Sequence, residues 1–236
     1  MNVIYRIGGE IFVNKDLFLK TMNCPVCEEK FKAVKVRSRR TCIEKRDSDF
    51  CAYFKGVNPY FYSVSICPNC GYAAIEQRYE NIHNSQKEII LKEITPKWKK
   101  RDVNGERTIK EAINTYKLAL YQATLIEGKY QYRGLLALRL AWFYRYEEDW
   151  DSEKMFLEGA LKNFKKAFEK EDFDEKFAIG KCSYIIGEIY RRLSDLDNAI
   201  KWYGIALKSN KYGDIQLEKQ IREQWQLVSE GKRKIS

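Results

Sequence analysis

Four of the seven cysteines fall into two closely spaced pairs, Cys24-Pro25-Val26-Cys27 and Cys67-Pro68-Asn69-Cys70-Gly71. A two-residue gap curls the backbone so that both sulfurs of a pair face one point. Two such loops supply four soft ligands in a tetrahedral arrangement, which Zn²⁺ accepts at about 2.3 Å. Proline after the first cysteine fixes φ, and Gly71 permits an unusual backbone after the last. With all four positions filled by protein, no water remains to be activated, so the expected site is structural. Iron in rubredoxin-like loops is the alternative metal, and electron carriage is its corresponding function. Glu28 stands where glycine usually follows, a departure from either pattern. The 39 residues between Cys27 and Cys67 exceed a minimal ribbon and imply a β-sheet insertion between the two loops.

The remaining reactive types form no catalytic constellation. Cys42, Cys51 and Cys182 belong to no ligand-spaced pair and read as small buried residues. His83 is the only histidine and sits in a polar stretch, so it reads as a surface residue, and no nucleophile–base pattern surrounds it. Asp47 and Asp49 are paired carboxylates, but Arg46 beside them would lower their pKa values. Turn bonding and salt bridging are therefore expected of them, and no catalytic residue is assigned.

The elements that must position the cysteines change character along the chain. Up to residue 70, short β-type runs such as Phe31–Val36 and Phe61–Ile66 alternate with turn signals. From Tyr72 the pattern is helical, which predicts a helix near Gly71. The expected fold is α+β and mostly α: a zinc-ribbon-like small β region at 1–75 packed against a tetratricopeptide-like helical array at 76–236.

Formal net charge is +10, and four thiolates with one Zn²⁺ would bring it to +8. Such a surface favours acidic partners, whether protein or nucleic acid, and also aids solubility. In the stretch Lys30–Arg40, strand alternation would put Lys35, Arg37 and Arg39 on one face with Val34 and Val36 opposite. With Phe50, Tyr53, Phe54, Tyr60, Phe61 and Tyr62 nearby, that face could track phosphates and stack bases. The competing reading is a half-buried strand with a solvated charged face. No apolar run approaches the roughly 20 residues of a membrane helix. Residues 1–12 have no signal-peptide layout, so a reducing cytoplasm is expected, where thiols bind metal.

In the second half, Gly187, Tyr190, Ala199, Tyr203 and Ala206 follow tetratricopeptide spacing, with small residues admitting close helices and aromatics filling the gaps. Ala141, Tyr144, Leu157 and Ala160 recur 46 residues earlier, which implies an insertion around 162–176. Ala112, Tyr116 and Ala119 repeat the second-helix spacing once more. Such arrays present a groove from the first helix of each pair. In this register it displays Arg145, Tyr146, Lys181, Tyr184, Glu188, Arg191 and Arg192, a net basic set suited to an acidic peptide or tail. A last helix near 214–230 would cap the array through Ile215, Leu217, Ile221, Trp225 and Val228.

Taken together, CPVC, RDSDF, NPYFY and CPNCGYAA make the chain resemble an uncharacterised bacterial domain-of-unknown-function family. That family joins a CPxC zinc-ribbon-like region to tetratricopeptide-like helices. The resemblance implies architecture and metal, and it transfers no activity. The function expected is a zinc-binding, non-enzymatic interaction scaffold, with a nucleic-acid-binding zinc ribbon as the alternative.

Overall fold

The computed structural model describes residues 2–7, 10–101, 105–173, 178–210 and 214–235. The chain divides into two compact units: residues 1–45 with 52–128, and residues 46–51 with 129–236.

In the first unit, β1 (Asn2–Ile7), β2 (Glu10–Asn23) and β3 (Lys30–Val36) form an antiparallel sheet in that order. Two further hairpins pair β4 (Cys42–Arg46) with β5 (Ala52–Lys55) and β6 (Val64–Ile66) with β7 (Ala73–Ile75). Helices α1 (Asn84–Glu93) and α2 (Ile109–Leu125) follow. The period-two alternation of β3 sends Phe31 and Ala33 into one core with the cysteines, while Val34 packs with Leu17 and Tyr62 in another. From Ala33 to Lys35 both faces of the strand are thus covered, while Lys30 and Lys32 are exposed. The Thr108 hydroxyl and the Glu111 carboxylate cap the start of α2 reciprocally. Ala112, Tyr116, Ala119 and Ala123 form its buried stripe.

Two expectations are corrected here. The helix predicted near Gly71 is strand β7, because the second cysteine loop is the turn of a hairpin and its outgoing arm must pair with β6. The division falls after Gly128 and not at 75. Ile90 and Ile94 of the α1 region share the core of the cysteine cluster, and Gln122 of α2 bonds the backbone at β7, so both helices belong with the β region. The spacing Ala112, Tyr116, Ala119 therefore lies on a helix of the first unit.

The second unit contains α3 (Tyr130–Tyr146), α4 (Trp150–Lys170), α5 (Ala178–Arg192), α6 (Leu196–Ser209) and α7 (Ile215–Ile235). The turns after α3 and α5 are alike. Glu148 and Ser194 adopt φ of 58° and 63°, and Asp149 and Asp195 then cap the next helix by accepting from Ser152 N and Asn198 N. Both pairs run antiparallel: Tyr144 near the end of α3 stacks on Phe156 near the start of α4, while Gly134 meets Phe164 at the other end. In the α5–α6 pair, a Cβ at Gly187 would lie 2.8 Å from the Tyr203 ring. Ala199, Tyr203 and Ala206 are fully buried. The insertion expected at 162–176 takes the form of a longer helix through Lys170, and residues 174–177 lie outside the described residues. Leu217, Ile221 and Val228 of α7 are buried as expected of a capping helix, whereas Ile215, in its first turn, is exposed.

Candidate metal centre

The two cysteine loops have the same build. Residues 24–29 turn β2 into β3, and residues 67–72 turn β6 into β7. Cys24 N donates to Glu29 O at 2.9 Å, as Cys67 N does to Tyr72 O at 2.8 Å. Glu28 N donates to Cys24 O at 2.9 Å, as Gly71 N does to Cys67 O at 3.0 Å. Glu28 and Gly71 hold matching left-handed φ values of 61° and 78°. The departure from glycine thus changes the residue and leaves the loop conformation intact.

These loops bring the sulfurs of Cys24, Cys27, Cys67 and Cys70 within 4.8 Å of one another. Cys24 and Cys70 sulfurs are 3.5 Å apart and those of Cys27 and Cys67 3.6 Å. That is far beyond a disulfide bond of about 2.05 Å. It lies close to the ~3.8 Å edge of a tetrahedron with metal–sulfur bonds of about 2.3 Å. The donor set therefore fits one tetrahedrally bound cation. Hydrogen bonds with the Cys67 and Cys70 side chains lower the Cys24 thiol to about 2, and the bond with Cys24 pushes Cys67 up to about 12. A bound dication would allow all four sulfurs to ionise together.

Residues far away in sequence brace the second loop. Gln122 Nε2 donates to Gly71 O at 2.8 Å while its Oε1 accepts from Ala73 N at 2.9 Å. Trp98 Nε1 donates to Pro68 O at 2.9 Å, and a Cβ on Gly71 would sit 2.5 Å from the Trp98 ring. Asn69 Nδ2 reaches Cys27 Sγ at 3.5 Å, a polar contact from one loop onto a sulfur of the other. Tyr79, fully buried in the same core, has a hydroxyl with no hydrogen-bond partner among the described residues. Spacing could identify the cysteines but carried no signal for Gln122, Trp98 or Tyr79.

Of the remaining cysteines, Cys51 and Cys182 are buried as expected. Burial pushes their thiols up to about 11 and about 12. Cys42 is exposed, because β4 has no covered face. His83 is on the surface at the start of α1.

The basic strand does not present the expected face. Lys35 is buried, and its Nζ bonds Ser65 Oγ at 2.8 Å, Tyr62 O at 3.2 Å and Glu76 Oε2 at 2.8 Å. The strand is covered on both sides at this point, so the amine is spent inside the protein. Burial lowers the Lys35 pKa, with Glu76 opposing. Arg37 lies after the end of β3, its guanidinium over the Phe18 ring. Arg39 is exposed in a short 3₁₀ turn at Ser38–Arg40, so the alternation stops before reaching it.

Within the second unit, the residues assigned to the groove converge on a segment of the same chain. Arg145 grips Asp49 through two bonds of 3.0 and 2.6 Å, and also bonds Asp47 at 2.9 Å and Glu153 at 2.8 Å. Arg192 shares Glu153. Tyr184 donates to Ser48 O at 2.9 Å, and Arg191 Nη2 to Ser48 Oγ at 2.9 Å. Ser48 Oγ in turn bonds Glu188. Lys181 lies 5.2 Å over the Phe50 ring, and Tyr146 OH meets Cys51 Sγ at 3.5 Å. Tyr184 and Glu188, expected to be displayed, are fully buried because this segment lies over them. The salt bridges of Asp47 and Asp49 go to Arg145, roughly a hundred residues away, and the local turn bonding is Phe50 N to Asp47 O at 3.0 Å.

None of the described helices is long and apolar enough to cross a membrane. No solved structure matches the chain. It is similar to an uncharacterised protein of Borreliella burgdorferi, with 27% identity over 154 residues covering 56% of this chain and 53% of the relative. The chain thus spans about half the length of that relative. The family described as uncharacterised proteins conserved in bacteria, DUF2225, matches residues 17–228, and with the paired cysteine loops inside that span the chain belongs to it.

Proposed function

We propose that the protein is a zinc-binding, non-enzymatic interaction scaffold of the cytoplasm, in which one structural Zn²⁺ organises the first unit and tetratricopeptide-like helix pairs make contact with a protein partner. The observation that carries this reading is the convergence of four cysteine sulfurs on two equivalent hairpin turns. A structural rather than catalytic role is favoured because the site is closed by four protein ligands and offers no open position for chemistry. The recurring small-residue and aromatic interlock of Gly187 with Tyr203 supports the repeat assignment. The best candidate carboxylates for acid–base work, Asp47 and Asp49, are held in ion pairs with Arg145, which favours binding over catalysis.

Elemental analysis and an absorption spectrum of the purified native protein test the metal. One colourless zinc per chain is expected, with Cys24→Ser or Cys70→Ser losing the metal and the tertiary structure of the first unit while most helical circular dichroism remains. Iron with visible thiolate bands would replace the scaffold by electron transfer. A metal-free variant that stays fully folded would overturn the structural role.

A further inference from the structure

Asp47–Cys51 occupies its surroundings as a bound peptide would. Four successive residues are each recognised by side chains of the helices: Asp47 and Asp49 by Arg145, Ser48 by Tyr184, Arg191 and Gln220, and Phe50 by Lys181 and the Tyr184 ring. The chemistry is charge-assisted and bidentate at Asp49, which is fully buried and also accepts from Trp142 Nε1 at 3.1 Å. The conformation is imposed as well. Phe50 has φ of 68°, a left-handed backbone that costs a bulky residue about 1–2 kcal/mol. The segment is the tip of the β4–β5 hairpin, and every residue of β4 is exposed. An isolated two-stranded hairpin is marginal by itself, and β5 adds contacts of its own through buried Ala52 and the Phe54–Tyr60 ring pair.

We propose that the face formed by α3, α5 and α7 is an acidic-peptide receptor held closed in cis by Asp47–Phe50, and that its partner in trans is a peptide of the same chemistry: two carboxylates two residues apart, followed by an aromatic ring. This rests on the scaffold reading and names the class of ligand. Arg145 selects the carboxylate pair, since its planar fork meets Asp49 through two nitrogens. Lys181 and Tyr184 select the ring. The cis tip acts at the millimolar effective concentration typical of a short tether, so a trans peptide gains access when the tip is weakened or its hairpin opens.

The test uses the full-length protein and a fluorescein-labelled peptide of residues 44–53 under reducing conditions. Two variants weaken the tip: Asp47→Asn with Asp49→Asn, and Phe50→Ala alone. Fluorescence anisotropy is expected to show peptide binding at least about tenfold tighter to either variant than to wild type, falling as salt rises. The peptide carrying the same two Asp→Asn changes should not bind. Folded variants that bind the peptide no better than wild type would overturn the proposal. So would loss of cooperative melting in both variants, since the tip would then be part of the fold and no ligand. Metal content measured on the same samples separates the outcomes: zinc-replete protein that ignores the peptide defeats only the receptor, whereas zinc-free wild type defeats the scaffold reading.

Discussion

Glu28 does in the first cysteine loop what Gly71 does in the second, at a φ that favours glycine. Glu28→Gly should therefore relieve strain and stabilise the first unit by about 1 kcal/mol, read as a higher denaturation midpoint with the metal bound. The reverse change is worse than its φ alone suggests, because Gly71 is also pressed against Trp98. Glu76 offers a test by acid. Burial raises its pKa, but bonds to Lys20 and Lys35 outweigh this and hold it below the usual carboxylate value. A carboxylate so depressed stabilises the fold above its unfolded value of about 4.3, and that contribution disappears as pH falls through the folded value. Wild type should thus out-melt Glu76→Gln at pH 6 to 7, with the gap in midpoint closing toward pH 3. At this scale the four cysteines were legible because their ligand spacing is local. Gln122, Trp98 and the Asp49–Arg145 pair were not, because each partner is tens of residues away and no periodicity links them.

At the scale of elements, glycines on two helices of one pair have opposite duties. Gly187 of α5 admits the Tyr203 ring, so Gly187→Ala should overpack the interface and cost about 1–3 kcal/mol. Gly204 of α6 faces open space, and Gly204→Ala should gain about 0.5–1 kcal/mol from the lower entropy of the unfolded chain. Urea denaturation of the two variants should move in opposite directions. Helix pairs could be read from the sequence because small and aromatic residues recur at helical spacing. Strand β3 shows the limit of such reading: alternation separates two faces but does not say that both are covered. The charged face expected of Lys35 is therefore interior, and Lys35 finds Glu76 and Ser65 there.

For the whole molecule, the α+β, mostly helical class was legible from the shift in pattern near residue 70. The division after Gly128 was not, since α1 and α2 look like the helices that follow them and differ in what they cover. Sequence also gave no hint that residues 46–51, which sit between the two cysteine loops along the chain, group with helices beginning at residue 129. The basic residues Arg145, Arg191 and Arg192 were readable as one set, and Asp47 and Asp49 as paired carboxylates. What joined them was the third dimension alone.

That discontinuity has a consequence during synthesis. Ser48 and Gln220 are hydrogen-bonded across 172 positions of sequence. At roughly 5–20 residues per second, the tip waits on the order of 10–30 s after its own translation before α7 exists to receive it. Contacts so distant in sequence also close slowly once available. Helix α7 is thus what completes the contacts of the tip within the second unit, and a nascent chain stalled before residue 220 carries an acidic tip that still lacks its Gln220 partner.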